Sequence, residues 1–344
     1  STEYDGRAGC NNCGPCALGC SIKAKASTDV TYWPKAITLG TKLITEARVR
    51  EIIVGKDGFA KGVLYYDGNG KLNEHYARIV VLACNGVGTP RLMLNSRSSV
   101  FPDGLANSSG LVGKNLMFHP YAFVRGLFRD QLESYKGPIG CCVISQEFYE
   151  TDPARGFKRG YSFQCSRGPG PRSCANEAPW GKNHHAVFES TFGNRLTATV
   201  IGEDLPEEIN TVTIDPVLMD SDGIPAPKVT YRMSENSLKL MAHGVQSGVE
   251  MLEAAGAIDL KIDPLIRTAG WHLMGTARMG KDPNRSVVNE YGQSHDVKNL
   301  FIVDGSVFVT SGGVNPTSTI QAVALHIADY IKRHARNIPS GLAG

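Results

Sequence analysis

Val80-Val81-Leu82-Ala83-Cys84-Asn85-Gly86-Val87-Gly88-Thr89-Pro90-Arg91-Leu92-Met93-Leu94-Asn95 is the stretch whose reading decides the fold class. From Ala77 to Cys84 the chain is an almost continuous apolar run, the pattern of a strand covered on both faces. Residues 85–89 then turn on two glycines, and Pro90, whose fixed φ suits the first helical position, opens a helix through Asn95. A strand, a glycine turn and a helix make half of a nucleotide-binding unit, so an α/β fold is expected here.

Working outward, residues 49–54 and 61–66 are rich in β-branched and aromatic side chains, and the second run enters Asp67-Gly68-Asn69-Gly70, a strong hairpin signal. Downstream, from 126 to about 232, strand-like pieces such as 197–201 and 211–214 alternate with Gly- and Pro-rich loops. That pattern reads as a second domain built on an antiparallel sheet. Ser234 offers a helix N-cap, and the helix should run to about Ala255 and stop before Gly256. The chain then returns to α/β character. Asn299-Leu300-Phe301-Ile302-Val303-Asp304-Gly305-Ser306 is a short buried strand ending in an acid and a glycine. Pro316 opens a last helix in which Ile320, Val323, Ala324, Ile327 and Ile331 fall at helical spacing. The expected division is 1–125, 126–267 and 268–338, with an overall α+β balance.

The 344 residues are 42% hydrophobic and 20% charged, enough for a large core and two domains. With 36 basic against 33 acidic residues and no basic block, nucleic acid is excluded as an expected partner. No run of about 18 apolar residues suggests a membrane span, and nothing at the start reads as a secretory signal, so a cytoplasmic setting is the expectation. The opening residues do not read as the beginning of a fold.

Two further segments extend the pattern of residues 80–95. One is Val112-Gly113-Lys114-Asn115-Leu116-Met117-Phe118-His119-Pro120. The other begins at Trp271-His272-Leu273-Met274-Gly275-Thr276-Ala277-Arg278-Met279-Gly280 and continues through Gly312-Gly313-Val314-Asn315-Pro316-Thr317-Ser318-Thr319. Together the three resemble the glucose-methanol-choline (GMC) flavin oxidoreductases. The resemblance implies FAD as cofactor and an alcohol as substrate, a sugar or an aromatic alcohol. It implies that His272 is the base that takes the hydroxyl proton, while Asn315 fills the second position of the family pair. Histidine suits the first task because its unperturbed pKa of about 6.5 leaves neutral imidazole available at neutral pH. A carboxamide can hydrogen-bond the substrate oxygen but cannot take its proton, so Asn315 is assigned an orienting role.

The resemblance also implies a cofactor-binding set. Val49 would hold adenine through its backbone. Ala83, Cys84 and Asn85 would lie by the adenosine or pyrophosphate. Asp304 and Gly305 match an Asp-Ala pair near the cofactor. Asn315, Pro316 and Thr317 sit at a helix N-terminus that faces the flavin in the family, where its partial positive charge would stabilise reduced flavin. The family's opening G-x-G-x-x-G, which cradles the FAD pyrophosphate, does not occur in this sequence. The FAD-binding domain is therefore expected to be incomplete, with a second polypeptide supplying the Rossmann half, because the sheet would otherwise expose edges and apolar faces.

Four of the nine cysteines crowd together as Cys10, Cys13, Cys16 and Cys20, in the spacing C-x2-C-x2-C-x3-C. This is a bacterial ferredoxin run with Ser21 in place of the usual proline, and it suits an iron–sulfur cluster or a tetrahedral zinc as well as plain thiols in a loop. The adjacent Cys141 and Cys142 allow a vicinal disulfide. His119 reads as structural, and His184 and His185 as a polar loop surface with metal ligation or a place in the substrate pocket as alternatives. Two other roles stay open at this level: an electron-transfer subunit built around a cysteine-bound cluster, and a lyase on the flavin scaffold.

Overall fold

The computed structural model describes residues 2–16, 18–137, 140, 143–267 and 271–341. Cys141 and Cys142 lie outside the described residues. The chain forms two units. An α/β unit takes Ile44–His119, Glu203–Ser234 and Gly270–Gly344, and an antiparallel unit takes Ser1–Leu43, Pro120–Gly202 and Glu235–Ala269. Elements are numbered in chain order.

In the α/β unit, β1 (Arg48–Val54), β2 (Ala60–Tyr66) and β3 (Leu72–Tyr76) form an antiparallel meander, closed between β2 and β3 by the Asp67–Gly70 turn. The Asp67 carboxylate accepts the N–H groups of Asn69 and Lys71, which fixes that turn. The apolar run at 77–84 yields a shorter strand than its composition implies. β4 spans Val80–Leu82, with Val80 and Leu82 buried and Val81 46% exposed. Residues ahead of it are diverted: Ala77 N–H donates to Lys61 O, and Arg78 O accepts from the buried Asn299 side chain. β4 pairs in parallel with β12 (Leu300–Ile302), in register Val80 to Leu300. Asn299 also exchanges bonds with both backbone groups of Ala60, tying the meander to the parallel pair.

Helix α2 (Asn85–Asn95) begins five residues ahead of the expected start, and Pro90 lies inside it. The cause is local. Asn85 adopts φ +68°, and its side-chain oxygen accepts the N–H groups of Val87 and Gly88, while Thr89 Oγ1 accepts Cys84 N–H. Pro90 cannot donate to Gly86 O; the Thr276 hydroxyl does so instead, at 2.7 Å.

The hairpin β9 (Thr211–Met219) and β10 (Pro225–Thr230) belongs to this unit too, not to the sheet domain in which the sequence reading placed it. Its start is bonded into residues 113–116 through Val212 N to Gly113 O and Leu116 N to Asn210 O, and Arg91 bridges to Asp220 and to the carbonyls of Ile224 and Pro225. The core gathers Ile52, Leu82, Met93, Leu105, Val288, Leu300 and Ile302. The last helix, α6 (Thr317–His334), buries Ile327 and half-buries Ile320, Val323 and Ile331, the stripe its spacing implies.

The antiparallel unit is a five-stranded sheet in the order β11-β5-β8-β7-β6, from Asp259–Asp263, Tyr121–Leu127, Arg195–Gly202, Tyr161–Ser166 and Val143–Ser145. α5 (Glu235–Ala254) lies on it through Leu240, Met241 and Leu252. Gly244 allows the close approach, since a Cβ there would stand 2.6 Å from Val200 Cγ1. Gly256, at φ +92°, ends the helix as expected, with Ala257 N–H reaching back to Leu252 O.

The cysteine-rich segment and α1 (Thr28–Thr38) also belong here, because Arg167 donates to Gly14 O and Tyr135 O and Gly137 N–H donates to Asn12 O. The stretch expected as a loop around His184 is helical: α3 (Pro171–Glu177) is followed by α4 (His184–Thr191).

Candidate active site

Residues 117–119 and 271–274 lie side by side. Met117 and Met274 exchange backbone hydrogen bonds, and His119 N–H donates to Trp271 O. Gly275, at φ +92°, continues this contact; a Cβ there would meet Asn115 O at 2.2 Å. Beyond it Gly275, Ala277 and Met279 donate in turn to the carbonyls of Gly305, Ser306 and Val307. The backbone thus gathers three separated stretches, 112–120, 271–280 and 304–307, into one place.

His272 itself sits at φ +61°, a left-handed conformation that is uncommon outside glycine and of the kind concentrated at functional sites. Its Nδ1 lies 2.6 Å from Nδ1 of His119, with the two rings edge to face. The other nitrogen of His119, Nε2, faces the carbonyl oxygens of Gly312 at 2.7 Å and Ser311 at 3.1 Å. His119 is fully buried, and its burial, with His272 alongside, pushes it down to about 4. Burial also lowers the pKa of the half-buried His272. Both imidazoles are accordingly neutral at pH 7.

The glycine loop is fastened behind them. Ser311 Oγ accepts Asp204 N–H at 2.9 Å, and the Asp204 carboxylate accepts the Tyr231 hydroxyl at 2.7 Å and Phe118 N–H at 3.3 Å. Asn315 follows this loop, exposed, immediately before the buried Pro316 and the exposed first turn of α6. His119, which the sequence reading set aside as structural, is thereby the group that joins the His272 segment to the loop leading into Asn315. Its place beside proline in a family-like block was the available signal. Asp204, Tyr231 and Ser311 gave none.

The remaining expected residues fall as follows. Ala83, Cys84 and Asn85 are exposed at the C-terminal end of β4, the end of a parallel sheet where ligands bind in α/β folds. Asp304, 7% exposed, accepts Asn85 N–H and the Thr89 hydroxyl on one oxygen and Ser306 N–H on the other, so its carboxylate joins the end of β12 to the start of α2. Gly305 is packed against Leu273 O. Val49 is half-buried on β1, an edge strand, beside a bulge. Thr317 lies in the first turn of α6, whose N–H groups have no intrahelical acceptor.

The exposed 83–85 edge and the α6 N-terminus suit an anionic dinucleotide. Buried Ser306 Oγ, two residues after Asp304, finds no hydrogen-bond partner among the described residues and leaves a donor unused. These features fit FAD.

Cys10 and Cys13 are exposed, and Cys16 and Cys20 half-buried. Cys20 Sγ accepts Ala24 N–H, and Cys10 Sγ accepts Asn12 N–H. Among the described residues no group of three or more His, Cys, Asp or Glu side chains converges to hold a metal, His184 and His185 included. Nor is any described helix long and apolar enough to cross a membrane.

Two family models described as GMC oxidoreductase match the chain, one over residues 4–121 and the other over 206–324. The match at 4–121 removes the support for an incomplete FAD-binding domain and for a second polypeptide, since both models fall within this one chain. A 2-methyl-1,2-propanediol dehydrogenase of Mycolicibacterium austroafricanum is 45% identical over 90% of this chain and 57% of its own length. The fructose dehydrogenase large subunit of Gluconobacter japonicus is 29% identical over 96% of this chain and 61% of its own. Among solved structures, a formate oxidase superposes with a TM-score of 0.61 at 17% identity, covering 86% of this chain and 61% of the other, which shows the shared fold. The chain therefore spans about three fifths of the length of these relatives.

Proposed function

The chain belongs to the GMC oxidoreductase family, and we propose that it serves the FAD-dependent oxidation of an alcohol CH–OH group, with His272 accepting the hydroxyl proton. The observation that carries this reading is the 2.6 Å contact between His119 and His272, with His119 in turn held by the Ser311–Gly312 carbonyls of the loop that ends in Asn315. That arrangement supports a joint role for the two residues the family pattern pairs.

Ala83, Cys84, Asn85, Val49, Gly305, Pro316 and Thr317 would hold FAD, with Asp304 fixing the 83–85 edge through its bonds to Asn85 and Thr89. When bound, FAD supplies a hydride acceptor at flavin N5. His272, kept neutral by burial, offers an imidazole nitrogen to the substrate O–H. The Asn315 carboxamide donates to the substrate oxygen and orients it. The positive end of α6 favours negative charge in front of its first turn.

A small aliphatic 1,2-diol is the first substrate to test, on the strength of the 45% identity to the propanediol dehydrogenase, with a sugar second. Anaerobic addition of 2-methyl-1,2-propanediol to the flavin-loaded protein should bleach the flavin absorbance. Absence of bleaching across diols, sugars and aromatic alcohols would overturn the reading.

A further inference from the structure

The hydrogen-bond inventory around His119 determines more than its location. Both groups facing His119 Nε2 are carbonyl oxygens, which only accept. Nε2 must therefore carry the hydrogen. A neutral imidazole has one N–H, so His119 Nδ1 presents a lone pair. The atom it faces at 2.6 Å, His272 Nδ1, must then be the donor. We propose that His119 is a positioning residue that locks His272 in its Nδ1–H tautomer and so places the basic lone pair on His272 Nε2. Burial supports the premise of a neutral His119, since it holds that imidazole far below the ordinary range.

The arrangement solves a specific problem. A neutral histidine can place its proton on either nitrogen, and a base works from the nitrogen without one. The left-handed backbone of His272 and the bridge between Met117 and Met274 fix where the ring stands. Neither fixes which nitrogen is protonated, whereas a neighbour that can only accept does so. Two backbone carbonyls set the tautomer of His119, and His119 sets that of His272. The inference rests on the reading of His272 as the base, but its central claim concerns protonation and is measurable without turnover.

The test is long-range proton–nitrogen NMR of the full chain labelled with 15N-histidine, at a pH above the ordinary imidazole range. His272 and His119 signals are assigned by their loss in single substitutions. The expected result is the Nδ1–H pattern for His272 and the Nε2–H pattern for His119. His119→Leu should convert His272 to predominantly the Nε2–H form. His119→Asn, whose side-chain oxygen falls near the former Nδ1 position, should retain Nδ1–H. Both variants abandon the Ser311 and Gly312 carbonyls equally, so general damage is common to both and the tautomer difference isolates the acceptor.

In the flavin-loaded protein, kcat should fall about 10–100-fold in His119→Leu and recover most of the way in His119→Asn, with KM little changed. His272 found as Nε2–H in the unsubstituted protein, or unaltered in His119→Leu, overturns the proposal, as does a His119→Asn variant no better than His119→Leu. If the tautomers are as stated while His272→Ala keeps its rate, the base assignment fails and the pairing stands. If the tautomers differ while His272→Ala is inactive, the pairing fails and the base stands.

Discussion

Residues 271–280 are bonded on one side to 117–119 and on the other to 305–307, whereas residues 10–20 are held to their unit through Asn12 and Gly14 and leave their thiols at or near the surface. Both stretches carry reactive side chains at short spacing. In the first, backbone hydrogen bonds bring distant segments together whatever the side chains do, and His272 meets His119 as a consequence. In the second, no three metal-ligating side chains converge among the described residues, and two of the four sulfurs accept bonds from nearby N–H groups. Spacing along a chain supplies a potential ligand set. Convergence requires a separate source of free energy, which packing and backbone pairing supply in the first stretch and which, for a thiol set, comes from the binding of a metal.

The strongest way to break this comparison is His272→Ala. If the gathered stretch is the reaction centre, kcat should fall by about 10²–10⁴-fold, the usual contribution of a positioned base, with flavin content nearly unchanged. Rate and flavin absorbance measured on the same sample would check both halves of that statement.

The second prediction uses pH. His119 has a folded pKa of about 4 against an unfolded value near 6.5, so between these values the unfolded chain binds more protons and acidification favours unfolding. This contribution is fully present above about pH 6.5, where stability from this source is flat. About 3 kcal/mol of it should be lost by pH 4. Urea midpoints compared for the unsubstituted protein and His119→Asn across that window would measure it; the variant should show a shallower dependence on pH.

A smaller effect is expected behind the motif, where Thr276→Val removes the hydroxyl that serves the Gly86 carbonyl. That carbonyl has lost its helical partner to Pro90, so about 1–3 kcal/mol of stability should go with the hydroxyl, read from the same midpoints. The smallest effect belongs to the other stretch. Replacing Cys10, Cys13, Cys16 and Cys20 by serine together should move the midpoint by no more than about 0.5 kcal/mol, as for ordinary surface changes. A loss of several kcal/mol would mean that the segment is organised by more than its two anchors and would erase the contrast.

Much of this architecture follows from local chemistry. The meander strands, the Asp67–Gly70 turn, the stop of α5 at Gly256 and the opening of α6 at Pro316 are set by turn residues, β-branched runs and helix-ending glycine, which act over a few positions. Where the sequence misled, a distant group intervened. Pro90 read as a helix start, yet the Asn85 side chain already accepts the N–H groups of Val87 and Gly88 in an earlier first turn, and Thr276, far along the chain, satisfies the carbonyl that proline leaves. The run at 77–84 read as one long strand, but Lys61 and Asn299 take its first residues. The hairpin at 211–230 read as part of the sheet domain, though Gly113 and Arg91 claim it for the other unit.

The sequence by itself determined the family, through three short blocks whose residue types serve their chemistry wherever they occur, and with it the choice of His272 and Asn315 as candidates. Tertiary structure alone decided that His119 is the partner of His272 and that Asp304 spends its carboxylate on Asn85, Thr89 and Ser306. The physical reason is the range of the forces involved. Propensity and capping act between neighbours and leave their trace in local patterns. Pairing across 153 positions, as between these two histidines, depends on backbone hydrogen bonds and burial that exist once the chain has folded.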